Sequence, residues 1–156
     1  MSTSNDAGEH ASPRMYFLQD EAASLAPGRQ LPAPGAGSAV LLADDSSDMR
    51  ELLKEILEDA GHRVQVASDG HEALERLRAG CFDVVVSDVR MPRLDGLGLT
   101  RAIRGEPALA HLPVVLVTSQ VTPAHRERAL AAGASAYLAK GSFCSADLDR
   151  VVRRVA

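Results

Sequence analysis

Acidic, hydroxyl and ammonium side chains stand at the ends of short apolar segments in this chain. Asp44 and Asp45 close the first of these segments. Asp88 and Thr118 close two later ones, and Lys140 follows the last. Each apolar run is typical of a buried strand, and the carboxyl ends of parallel strands line the ligand cleft of an α/β sheet. We therefore expect three carboxylates, one hydroxyl and one ammonium group to meet at one edge of a sheet.

The three carboxylates predict a magnesium site. Carboxylates that share a small cleft repel one another, and Mg²⁺ relieves this repulsion while it binds water and phosphate oxygens. Asp45 and Asp88 are predicted to be direct ligands, and Asp44 to bind directly or through a water molecule. Taken alone, Asp44 and Asp45 could equally be acids that precede a helix. Their combination with the other strand-end groups favours the metal site.

Asp88 is the best candidate for a nucleophile. It closes the most apolar segment, FDVVVSD, and a loop follows it. Carboxylates can form aspartyl-phosphate intermediates, and proteins assist phosphoryl transfer mainly by positioning and charge neutralisation. Lys140 would supply positive charge and Thr118 a hydroxyl donor. Lysine is rare here, since only Lys54 and Lys140 among the 17 basic residues are lysine, which favours a specific role for Lys140.

Strands and helices are predicted to alternate five times from residue 39 onward. Alternation with short connections predicts an α/β fold in which helices cover both faces of a five-stranded parallel sheet. The predicted strands are Val40–Asp44, Arg63–Ala67, Val84–Asp88, Val114–Thr118 and Ala136–Ala139. Three of the predicted helices have both bounds, Asp48–Ala60, Leu97–Arg104 and Pro123–Gly133, and two are predicted from their capping residues, Asp69 and Ser145. The apolar face of the first helix is predicted to consist of Leu52, Leu53, Ile56 and Leu57.

Composition narrows the class of protein. The net charge of −4 and the lack of a basic stripe argue against nucleic-acid binding. Cys81 and Cys144 do not suggest a disulfide framework, so a reducing cytoplasm is expected. No apolar segment is long enough to span a membrane, and the N-terminus does not resemble a signal peptide.

Residues 1–37 differ from the rest of the chain. Their proline and glycine content and lack of periodicity predict a disordered or loosely docked tail, with residues 38–156 forming the domain. The one apolar cluster of this tail, residues 15–18, is either incidental or a short segment that docks on a partner or on the domain itself. The five histidines lack metal-ligand spacing and are predicted to lie on the surface: His10, His62, His71, His111 and His125.

The strand-end motifs resemble those of bacterial response regulator receiver domains. The matching segments are ADDS at 43–46, SDVRMPRLDG at 87–96, LVTS at 116–119 and AGASAYLAKG at 132–141. The resemblance covers residues 39–156 and implies the flavodoxin-like, doubly wound (βα)5 fold. The stretch GASAYLAKGSF is most similar to receivers at the C-terminal end of chemotaxis-type hybrid histidine kinases.

The resemblance implies a phosphoacceptor switch. A histidine kinase would donate a phosphoryl group to Asp88 in a Mg²⁺-dependent reaction, and the backbone carbonyl of Arg90 would complete the metal site. Thr118 would move toward the phosphate and Tyr137 would turn inward. These movements would remodel the face formed by the fourth helix, fifth strand and fifth helix for a downstream target protein.

Two positions depart from the family pattern. Gly141 stands where receivers usually have a proline after a cis bond, and a non-proline cis bond costs about 3–4 kcal/mol. On sequence grounds, both the cis and the trans form of the Lys140–Gly141 peptide bond therefore remain open. Arg90 and Gln120 flank the acceptor, and we expect them to tune the lifetime of the phosphoryl group.

Several functions remain open on sequence grounds. A signalling switch, monomeric or weakly dimeric, is favoured over an enzyme, because Arg90 stands where aspartate-nucleophile phosphatases carry a second aspartate as general acid. The alternatives are a phosphate sink or inhibitory receiver module, and a pseudo-receiver that binds partners without phosphorylation.

Overall fold

The computed structural model describes residues 15–17, 37–119, 122–140 and 145–156, with the backbone alone for residues 15–17. The chain forms six strands and five helices over these ranges. In chain order they are β1 Met15–Phe17, β2 Ala39–Ala43, α1 Ser47–Asp59, β3 Arg63–Ala67, α2 Gly70–Ala79, β4 Val84–Asp88, α3 Gly96–Gly105, β5 Val114–Thr118, α4 Pro123–Ala132, β6 Ala136–Ala139 and α5 Ser145–Val155.

The strands form one sheet in the order β1-β6-β5-β4-β2-β3. Strands β2 to β6 pair in parallel, and β1 pairs antiparallel with the outer edge of β6. The predicted five-stranded parallel sheet with alternating helices is therefore confirmed. Strand β4, predicted to be central, is buried along its whole length, whereas β3 at the far edge is partly exposed.

Alternating strand residues build a core on each face of the sheet. One face packs against α1 and α5, and its buried members include Val40, Leu42, Val86, Leu53, Leu57 and Val151. The other face packs against α2, α3 and α4, and its buried members include Leu41, Val85, Leu77, Leu99, Ala129 and Tyr137. Both faces are apolar because helices cover both, as in other parallel sheets.

Helix starts follow the capping residues in the sequence. The side chains of Ser46, Asp69, Asp95 and Thr122 each accept a hydrogen bond from a backbone N–H of the first helical turn. Helix α4 ends at Gly133, which adopts a left-handed conformation with φ 101°. Glycine adopts this conformation without steric cost, so the predicted stop at Gly133 has a local cause.

Two expectations about burial are wrong. Leu52, predicted to share the apolar face of α1, is 49% exposed, because the buried stripe of that helix consists of Leu53 and Leu57. His62, predicted to lie on the surface, is 4% exposed. Its Nδ1 accepts a hydrogen bond from the Ser38 backbone N–H (2.9 Å), and its Nε2 lies 2.7 Å from Asp149 Oδ1. His62 thus joins α5 to the start of β2.

The predicted N-terminal tail contributes one described element, β1. Its register on β6 is Met15↔Leu138, Tyr16↔Tyr137 and Phe17↔Ala136. The remainder of residues 1–36 lies outside the described part of the chain, so the boundary at residues 37 and 38 stays a prediction. Within the described residues, no helix is long and apolar enough to cross a membrane.

Candidate functional site

The carboxyl ends of β2, β4 and β6 bring two carboxylates and an ammonium group together. Lys140 Nζ lies 3.2 Å from Asp88 Oδ2 and 3.4 Å from Asp44 Oδ2. Asp44 is 0% exposed and Asp88 is 7% exposed, so both charges are held away from bulk water. The parallel register explains this meeting, since each residue ends or directly follows a strand of the same sheet.

Asp45 completes a cluster that fits a divalent cation. It is exposed, and one carboxylate oxygen from each of Asp44, Asp45 and Asp88 lies within 4.8 Å of the others. Asp44 Oδ2 is buried and accepts no hydrogen bond from the described residues, although Lys140 Nζ is near enough to attract it. A buried carboxylate oxygen without a donor is costly unless a cation compensates it. Carboxylates of this kind are the ligands that Mg²⁺ prefers.

Local contacts fix the orientation of Asp44. Its Oδ1 accepts a hydrogen bond from the Ser46 backbone N–H at 3.0 Å, which leaves Oδ2 directed at the cleft. Its backbone carbonyl accepts a hydrogen bond from Arg50 Nη1 at 2.7 Å. Arg50 was not predicted to contact this site, although its position in the first turn of α1, a few residues after Asp44 and Asp45, was a usable signal.

The surroundings of Asp88 raise its pKa above the ordinary value for an aspartate. Burial is the largest cause, followed by the negative charge of Asp44. Lys140 and a hydrogen bond with the backbone of Arg90 act in the opposite direction without cancelling the rise. A cation bound next to Asp88 would therefore stabilise the ionised form of this carboxylate.

A pKa raised by folding makes the ionised carboxylate of Asp88 a cost to the fold. The contribution of Asp88 to the free energy of unfolding is then fully present below the ordinary aspartate pKa and is lost as the pH rises through the higher pKa of the folded state. We expect Asp88→Asn to increase the free energy of unfolding at pH 7 without Mg²⁺ by about 1 kcal/mol, and to flatten its pH dependence above pH 4. Urea denaturation across pH would measure both effects.

The exposed Asp59 provides a matched control for this prediction. Asp59→Asn should change the free energy of unfolding by less than about 0.5 kcal/mol, because it lies in water. Addition of Mg²⁺ to the wild type should abolish the difference from Asp88→Asn. A less stable Asp88→Asn protein would mean that the carboxylate is a net stabilising group.

Thr118 and Tyr137 lie on the paired strands β5 and β6. Thr118 ends β5 and is 3% exposed, and its backbone carbonyl accepts a hydrogen bond from the Lys140 N–H at 2.7 Å. Tyr137 is 1% exposed and belongs to the core on the α4 side of the sheet. Arg90, two residues after Asp88, is exposed. Gln120 and Gly141, and with Gly141 the geometry of the Lys140–Gly141 bond, lie outside the described residues.

The loop after Asp88 is held by contacts that the sequence did not reveal. Arg93 has a positive φ of 67°, and its Nη2 lies 2.6 Å from Asp69 Oδ2. Asp69 also caps α2, and its pKa lies below the ordinary value because of the Glu72 backbone N–H and Arg93. A Cβ at Gly96 would lie 2.3 Å from the Asp88 carbonyl oxygen, so glycine is required there. This packing fixes the backbone around Asp88.

Comparison with known proteins agrees with the fold. The family model for the response regulator receiver domain matches residues 40–153. The gliding motility regulatory protein of Myxococcus xanthus is 38% identical over 116 residues, which cover 74% of this chain and 15% of that protein. This chain therefore spans a small part of that relative. The chemotaxis protein CheY-3 of Vibrio cholerae is 36% identical over 120 residues, which cover 74% of this chain and 92% of that protein.

Solved structures show the same architecture. CheY4 of Vibrio cholerae superimposes with a TM-score of 0.73 at 34% identity, covering 78% of this chain and 100% of that one. The receiver domain of a Pseudomonas aeruginosa sensor histidine kinase superimposes with a TM-score of 0.70 at 33% identity, covering 76% and 97%. That structure has a magnesium ion coordinated in its active site cleft.

Proposed function

Because this chain belongs to the response regulator receiver domain family, we propose that it is a phosphoacceptor switch in which a histidine kinase phosphorylates Asp88. The observation that carries the proposal is the placement of Lys140 Nζ within 3.4 Å of both Asp44 and Asp88 at the carboxyl edge of the sheet. A site built to receive a phosphoryl group needs a nucleophile, an adjacent cation and acidic metal ligands, and these residues supply all three.

The nucleophile would be a carboxylate oxygen of Asp88. It would attack the phosphorus of a phosphohistidine, so that the new O–P bond forms as the P–N bond to the kinase imidazole breaks. The imidazole nitrogen keeps the electron pair of the broken bond and takes a proton from solvent water. Lys140 would keep Asp88 ionised before transfer and neutralise a phosphoryl oxygen afterwards, and the Thr118 hydroxyl would donate to another.

Mg²⁺ would be held by Asp45 and Asp88, by Asp44 directly or through water, and by the backbone carbonyl of Arg90. Bound there, it would supply positive charge that balances both the carboxylates and the phosphoryl oxygens. The buried Asp44 Oδ2 without a hydrogen-bond donor supports this assignment. The long cation of Arg90, together with Gln120, would tune how long the phosphoryl group survives.

The signal would leave through the face formed by α4, β6 and α5. We propose that Thr118 and Tyr137 couple this face to the phosphoryl group, because they lie on the neighbouring strands β5 and β6. The Thr118 backbone carbonyl also accepts a hydrogen bond from the Lys140 N–H. The receptor of the signal would be a downstream target protein. The likeness to a gliding motility regulator, chemotaxis proteins and a histidine kinase receiver supports a receiver of the chemotaxis type.

Intact-mass measurement after incubation with acetyl phosphate tests this function. We expect the wild type to gain one phosphoryl group when Mg²⁺ is present, and none in EDTA or in the Asp88→Asn variant. An equal gain in Asp88→Asn would place the acceptor elsewhere. No gain in folded, Mg²⁺-loaded wild type would refute the phosphoacceptor switch in favour of a receiver that binds partners without phosphorylation.

A further inference from the structure

Strand β6 is the last parallel strand of the sheet, and its outer edge is covered by β1. An uncovered edge strand presents a row of unpaired backbone N–H and C=O groups, which is a template for another strand. In this chain Met15–Phe17 pairs with that edge in antiparallel register, with Tyr16 opposite Tyr137. The edge is thus occupied by a segment of the same chain.

Strand β1 lies outside the family domain. The family match begins at residue 40, and the five parallel strands and five helices are complete without β1. The full length of CheY4 superimposes on 78% of this chain. Strand β1 is therefore an addition to the domain rather than part of its core.

The covered edge lies between the two helices of the proposed output face. Helix α4 contributes Ala129 to the core on one side of the sheet, and α5 contributes Leu148 and Val151 to the core on the other. Strand β6 runs between these helices and leads directly to Lys140. A strand on the β6 edge therefore sits where a partner would contact α4, β6 and α5 together.

We propose that β1 is an intramolecular cover of a strand-docking site, and that partners of this face bind as an extended peptide that replaces Met15–Phe17 on β6. Recognition by strand addition uses main-chain hydrogen bonds between the added strand and the sheet edge. A three-residue strand supplies few such bonds. Its advantage is the tether, which gives it a high effective concentration against a free peptide. The proposal concerns the docking edge and does not require that Asp88 be phosphorylated.

A proline in the centre of β1 tests the cover in the full-length chain. Tyr16→Pro removes a backbone N–H and disfavours pairing. We expect hydrogen–deuterium exchange of residues 136–139 to become faster in this variant. Ala23→Pro, which introduces a proline outside Met15–Phe17, should exchange like the wild type. Unchanged exchange of residues 136–139 in Tyr16→Pro would refute the cover.

A labelled synthetic peptide with the sequence of residues 13–19 tests the docking site itself. By fluorescence anisotropy it should bind Tyr16→Pro at least about 10-fold more tightly than the wild type or Ala23→Pro, because the tethered competitor is lost. Binding should restore slow exchange to residues 136–139, and a peptide with proline at its centre should not bind. Equal affinity for all three proteins would overturn the proposal. A Tyr16→Pro protein that dimerises instead of binding the peptide would assign the edge to a second copy and overturn the peptide partner.

Discussion

Lys140→Met is expected to slow phosphorylation of Asp88 by acetyl phosphate at least about 100-fold. The Lys140 ammonium lies between two buried carboxylates, 3.2 Å from Asp88 Oδ2 and 3.4 Å from Asp44 Oδ2. Among the described residues, it is the cation that forms an ion pair with Asp88. Loss of one preorganised group that neutralises developing charge costs roughly 10²–10³ in rate. Initial rates from intact mass at fixed Mg²⁺ would measure the effect.

The same substitution should destabilise the protein at neutral pH without Mg²⁺. Two carboxylates would then face each other without a counter-ion, and the pKa of Asp88 would rise further. Because the Lys140 side chain is 19% exposed, solvent screens part of this cost, and we expect a loss of about 1–3 kcal/mol. Low pH or Mg²⁺ should restore much of it. Urea denaturation with and without Mg²⁺ separates this effect from the loss of rate.

The other lysine of the chain is a matched control. Lys54 lies on α1, and its Nζ pairs with Glu58 Oε2 at 3.4 Å on an exposed surface. Lys54→Met should leave the phosphorylation rate unchanged and shift the free energy of unfolding by less than about 0.5 kcal/mol. Lys140→Arg keeps the charge but not its compact shape, so it should preserve stability better than rate. Normal phosphorylation of a folded Lys140→Met protein would remove Lys140 from the mechanism.

Asp44→Asn is expected to weaken Mg²⁺ binding at least about 10-fold while the protein stays folded. The substitution keeps the shape of the side chain, and the hydrogen bond from the Ser46 N–H to Oδ1 can persist. It removes one of the three negative charges of the cluster. The affinity of carboxylate sites for divalent cations depends on the number of ligand charges. Isothermal titration with MgCl₂ would measure the change in Kd.

Asp48 provides the control that distinguishes a metal ligand from an acidic residue that is only nearby. It is exposed in the first turn of α1, a few residues from Asp44 and Asp45, and lies outside the carboxylate cluster. Asp48→Asn should change the Kd for Mg²⁺ by less than about 2-fold at physiological ionic strength, because exposed charges are screened. If both variants lost the same affinity, the effect would come from net charge and the proposed coordination by Asp44 would be wrong.

The sheet and the main site residues could be predicted because strand patterns and parallel-sheet topology determine where they lie. Four strands have the predicted bounds. Three are largely apolar runs between turn signals, Val84–Asp88, Val114–Thr118 and Ala136–Ala139, and the fourth, Arg63–Ala67, alternates polar and apolar residues. Once the sheet is parallel, its topology brings Asp44, Asp88 and Lys140 to one edge. Strand periodicity and the rules for crossover connections were therefore enough to predict that these three residues meet.

Contacts between distant segments could not be predicted. The burial of His62 depends on partners 24 and 87 residues away, Ser38 and Asp149. The bond from Arg93 to Asp69 likewise joins two loops across 24 residues. Helical periodicity misplaced Leu52 because a helix on a sheet buries a narrower stripe than its apolar residues suggest. Docking of residues 15–18 on the domain was one of two alternatives, and the strand pairing with β6 could not be predicted because three residues carry no strand periodicity.

Identification of the phosphorylated residue tests the central claim most directly. The acetyl-phosphate-treated protein would be reduced with borohydride, which converts an aspartyl phosphate to homoserine, and then digested and mapped by mass spectrometry. We expect homoserine at position 88 alone, and only when Mg²⁺ was present during phosphorylation. Homoserine at position 44 or 45, or an unmodified position 88 in protein that has gained a phosphoryl group, would contradict the assignment of Asp88 as the acceptor.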